Sequence, residues 1–143
     1  MLNPQGSCGA EQVINEFEVL LSTDGVDFTP ALSGTLSTVR REQAWLLEQL
    51  TPASFARLRV LSNHNGNPNH NRNRGRLCLG EFKVIADPGS NPWPGEEINL
   101  ARPMHGGHVV WSSPQIARAH AEGLLSEEAE NPYWQMDHLN SNQ

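Results

Sequence analysis

The chain has 143 residues, 37% hydrophobic and 6% aromatic, which is enough for one ordinary domain, or pieces of two, with a modest core. Its formal charge of −6 weighs against nucleic acid as a partner, because phosphate binding needs a cationic face; the one arginine-bearing run, residues 69–74, is too short to reverse that. No apolar run approaches the roughly 20 residues a membrane-crossing helix needs, and no basic, apolar leader opens the sequence, so neither a membrane partner nor export by this N-terminus is expected.

The first predicted element is a strand over residues 12–22. Val13, Phe17, Val19 and Leu21 fall on one side and Glu16, Glu18 and Ser22 on the other, the period-two alternation of a half-buried strand. Asp24-Gly25 is a turn dipeptide. Phe28-Thr29-Pro30 follows, and proline, which has no N–H to donate, suits a sheet edge or strand end. Residues 40–50, RREQAWLLEQL, are rich in helix formers and stop at Thr51-Pro52. Local propensity predicts a helix there; neighbouring strands would impose extended chain. Residues 54–62 alternate again, with Ala56, Leu58 and Val60 inward and Arg57 and Arg59 outward, as an antiparallel strand with one wet face does.

Residues 63–75, NHNGNPNHNRNRG, contain no apolar side chain except proline. They are predicted as a long exposed loop, a length uncommon unless functional or disordered. Residues 76–87 read as a strand with a slip in phase. Leu77 and Leu79 share one parity, Phe82 and Val84 the other, and a bulge at Gly80-Glu81 would turn all four inward. Residues 87–97 are rich in proline and glycine and read as a linker. Beyond it, residues 108–111 (HVVW) suggest a short strand. Ser113-Pro114 opens a short predicted helix that Gly123 ends, and the polar tail 138–143 is expected to fray. Cys8 and Cys78 either bridge, closing a long loop and contributing roughly 3–5 kcal/mol, or stand as separate thiols, with Cys78 packed as a small hydrophobe. Two cysteines alone make no zinc site.

Three stretches, INEFEVLLSTDGVDFTP, FARLRVLSNHNG and LGEFKV, together resemble the C-terminal half of a discoidin-like domain. This is the coagulation-factor C-type, galactose-binding-like family, which includes many carbohydrate-binding modules. Its V-x-x-S-x-D-G strand corresponds to residues 19–25, its next strand to residues 55–60, and its final L-x-E-x-x-V strand to residues 79–84. The similarity covers residues 12–87. Residues 98–143, with INLARPMHGGHVVWSSPQ and LLSEEAENPYW, are similar to the opening of another such domain. Leu124, Leu125 and Trp134 take the corresponding places, but the Asp-Gly and Thr of that opening are absent.

The resemblance implies an all-β, jelly-roll-like antiparallel β-sandwich. Residues 1–87 would be the C-terminal part of one module, 88–97 a linker, and 98–143 the N-terminal part of a second. Alternatively, residues 98–143 complete the first sandwich. Within one chain that makes a circular permutation; between two it makes a strand-exchanged homodimer. Left open, a half-sandwich exposes an apolar face and strand edges, both of which promote association.

Sugars are recognised by amides, imidazoles and guanidinium groups with fixed hydrogen-bond directions, often beside an aromatic ring. Asn63, His64, Asn65, Asn67, His70 and Arg72 supply that chemistry in one loop, and the resemblance implies that loops at one end of the sandwich carry the ligand. The plainer alternative is a solvated loop. Any stacking ring would come from elsewhere, Trp93 or Trp111; with Trp45 and Trp134, these otherwise read as core or boundary packing. The pairs His64/His70 and His105/His108 lack helical spacing and an accompanying carboxylate cluster, which makes a poor transition-metal site. The resemblance also allows a structural calcium ion, with Glu81 at the position of the family's final-strand ligand; calcium takes about six to eight oxygens. Otherwise Glu81 is an outward carboxylate paired with Lys83 or Arg59. No cofactor is required by this reading. No nucleophile elbow or oriented histidine is recognisable, and Glu96-Glu97 and Glu127-Glu128 read as solvated charges, so no enzyme is expected. The expected function is carbohydrate binding through the 63–75 loop. The alternative is an interaction module that assembles through strand edges, with a small hydrolase third.

Overall fold

A computed structural model of the chain describes residues 1–4, 9–64, 77–87, 98–110 and, for the backbone, 134–136. The predicted helix at 113–122, the linker at 88–97 and the polar tail lie outside the described residues. Among those described, the chain is mostly antiparallel strand with almost no helix, so it is all-β. Two 3-10 turns, Ala10–Gln12 and Pro103–His105, are the helical elements among the described residues.

Strand β1 is Leu2–Asn3, β2 Glu16–Ser22, β3 Thr29–Thr35, β4 Phe55–Val60, β5 Leu77–Leu79, β6 Glu81–Phe82 and β7 Trp134–Met136. They form a three-stranded sheet in the order β3-β2-β4 and two pairs, β1-β6 and β5-β7. The apolar side of β2 faces inward as its alternation requires. Phe17 is buried, and Val19, Leu32 of β3, and Leu58 and Val60 of β4 are half-buried against the core. The alternation then fails, because Leu20, Leu21 and Ser22 are all buried. The cause is a register shift against β3 between Val19 and Leu20, a bulge that turns consecutive residues to covered positions. Ala56, expected inward, is exposed. Pro30 lies in β3, which flanks β2 on one side as the edge position of proline requires.

Residues 40–50 are not helical. They run without regular structure except at Gln43, whose backbone exchanges two hydrogen bonds of 2.9 Å with Leu2. The Trp45 ring meets Phe17 edge-on, with centroids 4.8 Å apart. A helix would withdraw Gln43 from Leu2 and Trp45 from Phe17, and these tertiary contacts outweigh propensities of tenths of a kcal/mol per residue. The loss leaves Leu46 91% and Leu50 74% exposed.

The phase slip at Gly80-Glu81 is a change of partner. β5 pairs with β7, while β6 pairs with β1, Leu2 opposite Phe82. The Gly80 N–H between them donates to the Asn3 carbonyl. Cys78, between two inward leucines, is also buried, so β5 is covered on both faces. Residues 108–110 form no strand; Val109 instead packs against the core. Leu2, Val13, Ile14, Phe17, Leu36, Leu77 and Leu79 make that core, each fully buried side chain contributing about 1.5–3 kcal/mol.

Candidate binding loop and its root

Asn63, where the 63–75 loop begins, and Cys78, in the strand that follows it, bridge neighbouring residues of one dipeptide. After the 3-10 turn Ala10–Gln12, Val13 and Ile14 run as extended chain through the core, 2% and 0% exposed. Val13 bridges Cys78 in parallel and Ile14 bridges Asn63 antiparallel. The chain therefore leaves the core beside Ile14 and re-enters beside Val13. Asn63 and Cys78 are held beside adjacent core residues.

Asn63 and His64 were expected within an exposed loop. Asn63 is buried, and His64 is stitched to the core twice. The His64 N–H donates to the Val13 carbonyl at 3.1 Å. Its ring nitrogen Nε2 lies 2.6 Å from the Leu36 carbonyl oxygen; a carbonyl only accepts, so Nε2 carries the proton. These two residues build the root of the loop. A polar side chain can be buried where it is partnered, a condition no local sequence pattern displays. Asn65, Asn67, His70 and Arg72, with Trp93 and Trp111, lie outside the described residues.

Glu81 sits in β6 with its carboxylate 3.6 Å from the Lys83 ammonium, which also pairs with Glu42. Burial works to lower the Lys83 pKa, but the Glu42 and Glu81 carboxylates outweigh it and raise the pKa above its ordinary value. A calcium ion at Glu81 would have to displace that ammonium. His105 Nδ1 lies 2.8 Å from the Asn99 carbonyl oxygen and His108 Nδ1 3.2 Å from that of Gly106. Among the described residues, no three His, Cys, Asp or Glu side chains cluster as metal ligands.

The wet face of the three-stranded sheet carries chemistry that the strand reading left unassigned. Arg59 pairs with Glu18 across the β2–β4 register. The Arg57 guanidinium lies 3.7 Å over the Phe28 ring centre, a cation–π contact. Outward arginines at 57 and 59 opposite an outward Glu18 were the available signal; the Phe28 contact depends on how the turn after β2 folds back. That turn is built by side chains. Asp24 Oδ1 accepts N–H bonds from Val26 at 2.8 Å and Asp27 at 3.0 Å, and Ser22 Oγ accepts from Gly25 at 2.9 Å. Gly25 has φ 78°, with the Phe55 ring 3.1 Å from where a Cβ would sit. Both facts call for glycine.

No family model, curated protein or solved structure matches the chain.

Proposed function

We propose that this chain is a non-catalytic binding module whose ligand site is the 63–75 loop and whose ligand class is carbohydrate. The scaffold would be a jelly-roll-like sandwich of galactose-binding type, in which residues 98–143 complete the sheets within the chain. The observation that carries the reading is the loop root: Asn63 and Cys78 flank one buried dipeptide, Val13-Ile14. A loop held at both ends by the core presents its polar side chains at lower entropic cost than a free one. Here those side chains are Asn65, Asn67, His70 and Arg72, a donor and acceptor set suited to hydroxyl pairs. Trp93 or Trp111 supplies the stacking ring.

The test is a glycan array followed by titration with galactose-type sugars, monitored by tryptophan fluorescence. Alanine at Asn67 or His70 is expected to weaken binding about tenfold or more, the usual cost of a lost directional hydrogen bond. Asn67 and His70 lie between the anchored ends, so melting temperature should stay within a degree or two.

A second reading has its own observation. β4 pairs with β2 on one side, and no strand among the described residues covers its other edge. The segment leading into it exposes Leu46 and Leu50. Open edges beside apolar side chains promote association. Silence on every sugar, together with a mass that rises with concentration in light scattering, would replace the first reading with an assembly module. Neither reading requires calcium.

A further inference from the structure

We propose that Asp24-Gly25 is a spontaneous modification site, an aspartate set to isomerise through a cyclic imide, and that the Ser22 hydroxyl holds it shut in the folded chain. The inference concerns the turn after β2 and holds whatever the 63–75 loop binds.

The sequence places both reactants side by side. Asp24 is exposed to water. The next residue is glycine, whose missing Cβ leaves its backbone nitrogen unhindered. The reaction is a dehydration followed by a hydration. The Gly25 nitrogen attacks the side-chain carboxyl carbon of Asp24 and gives up its proton. A C–N bond forms, a carboxyl C–O bond breaks, and that oxygen leaves as water. Solvent water then opens the imide at either carbonyl. One opening restores aspartate. The other leaves isoaspartate, with the main chain routed through the side-chain methylene and the free carboxylate on Cα. No electron is transferred, and the product has the mass of the starting chain.

The folded turn opposes the first step at both reactants. Ser22 Oγ accepts the Gly25 N–H at 2.9 Å and donates to Asp24 Oδ1 at 2.8 Å, so the proton that the nucleophile must lose is already engaged. The same carboxylate oxygen accepts the N–H groups of Val26 at 2.8 Å and Asp27 at 3.0 Å. Together these donors keep the carboxyl ionised, its pKa below the ordinary 3.8, and oxygen leaves a carboxylate poorly. Attack also needs the flat face of the carboxyl turned to the Gly25 nitrogen. Donors approach an sp² oxygen near its plane, so turning the group breaks the bonds from Val26, Asp27 and Ser22. Gly25 is held at φ 78° with the Phe55 ring beside it. Ser22 is itself 5% exposed at the end of β2, which keeps its hydroxyl in place while the strand holds. Opening of the turn frees the site. Isoaspartate lengthens the backbone by one methylene and cannot rebuild the bonds to Val26 and Asp27, so the product records time spent open.

The test is isoaspartate at residue 24, quantified by peptide mapping of the full chain aged in neutral buffer, folded or in urea. The folded chain should accumulate it at least about tenfold more slowly than the unfolded one, as several ordinary hydrogen bonds allow. Ser22→Ala should raise the folded rate about fivefold or more and leave the rate in urea within about twofold. Ser22→Thr keeps the hydroxyl and should retain the protection, which keeps the test decisive if the alanine variant unfolds. Gly34→Ala loosens the fold beside Phe17, at the far end of β2, and should change the folded rate by less than about twofold. Equal rates in folded and unfolded chain, an unchanged rate in Ser22→Ala, or loss of protection in Ser22→Thr would each overturn the proposal. So would equal acceleration by Gly34→Ala, which would trace the protection to global stability.

Discussion

At the residue scale, Asp24 shows how one carboxylate fixes a turn. Two backbone N–H groups and the Ser22 hydroxyl donate to it, and the bonds from Val26 and Asp27 hold its pKa below the ordinary 3.8. A carboxyl whose folded pKa is depressed stabilises the fold above its unfolded pKa, and that contribution fades as pH falls through the folded value. Asp24→Asn should therefore unfold more easily at neutral pH, and the gap to the wild type should close below about pH 4; melting curves between pH 2 and 7 check this. Asn63→Ala removes a buried amide at the loop root and should cost about 1–3 kcal/mol in urea unfolding. Lys83 titrates in the opposite sense. Its raised pKa means that its ion pairs stabilise the fold below the ordinary lysine value of 10.5 and are lost as pH rises past the folded one. Because Lys83 neutralises Glu81, millimolar calcium and EDTA should give the same melting temperature; a rise of several degrees with calcium would assign Glu81 to an ion.

At the scale of elements, β2 and β4 were legible as strands because their sequences alternate. Burial follows that alternation only in part, at Phe17 of β2 and at Leu58 and Val60 of β4. The turn between β2 and β3 was legible because Asp24-Gly25 has local chemistry of its own. Thr29–Thr35 was legible only at its proline. The sequence TPALSGT has little alternation, and its place at the edge follows from β2 beside it. Gly34 shows why. A Cβ there would stand 2.7 Å from Phe17 Cζ and 2.9 Å from Trp45 Nε1. The glycine makes room for the aromatic pair that also draws residues 40–50 away from a helix. Gly34→Ala should cost about 1–3 kcal/mol by overpacking, and Phe17→Ala about 3–5 kcal/mol by the cavity it leaves. Equilibrium denaturation measures both. Helicity of an isolated 40–50 peptide, set against the non-helical segment in the protein, would show propensity and packing opposed.

At the scale of the molecule, residues distant in sequence meet. β7 at Trp134–Met136 pairs with β5, and Ile85 bridges Asn99. The Asn99 side chain caps this meeting, its Oδ1 accepting from the N–H groups of Val84 at 3.0 Å and Ala101 at 3.1 Å. Ion pairs tie Lys83 to Glu42 and Arg59 to Glu18, each worth less than about 1 kcal/mol at such exposed positions. The open edge of β4 and the bare leucines before it carry a prediction at this scale. If the chain assembles, Leu46→Glu with Leu50→Glu should lower the light-scattering mass to that of a monomer. Both leucines are exposed, so stability should change by less than about 0.5 kcal/mol.

The all-β character, the positions of β2 and β4, and the turn at Asp24-Gly25 were determined by the sequence itself, since each depends on residues within a few positions of one another. The tertiary structure decided the rest. It buried Asn63, kept residues 40–50 out of a helix, and made the slip at Gly80 a change of partner. In each case the deciding atoms belong to Ile14, Leu2, Phe17 or β7. A backbone hydrogen bond or a covered face depends on what folding brings beside it, which periodicity along the chain does not encode.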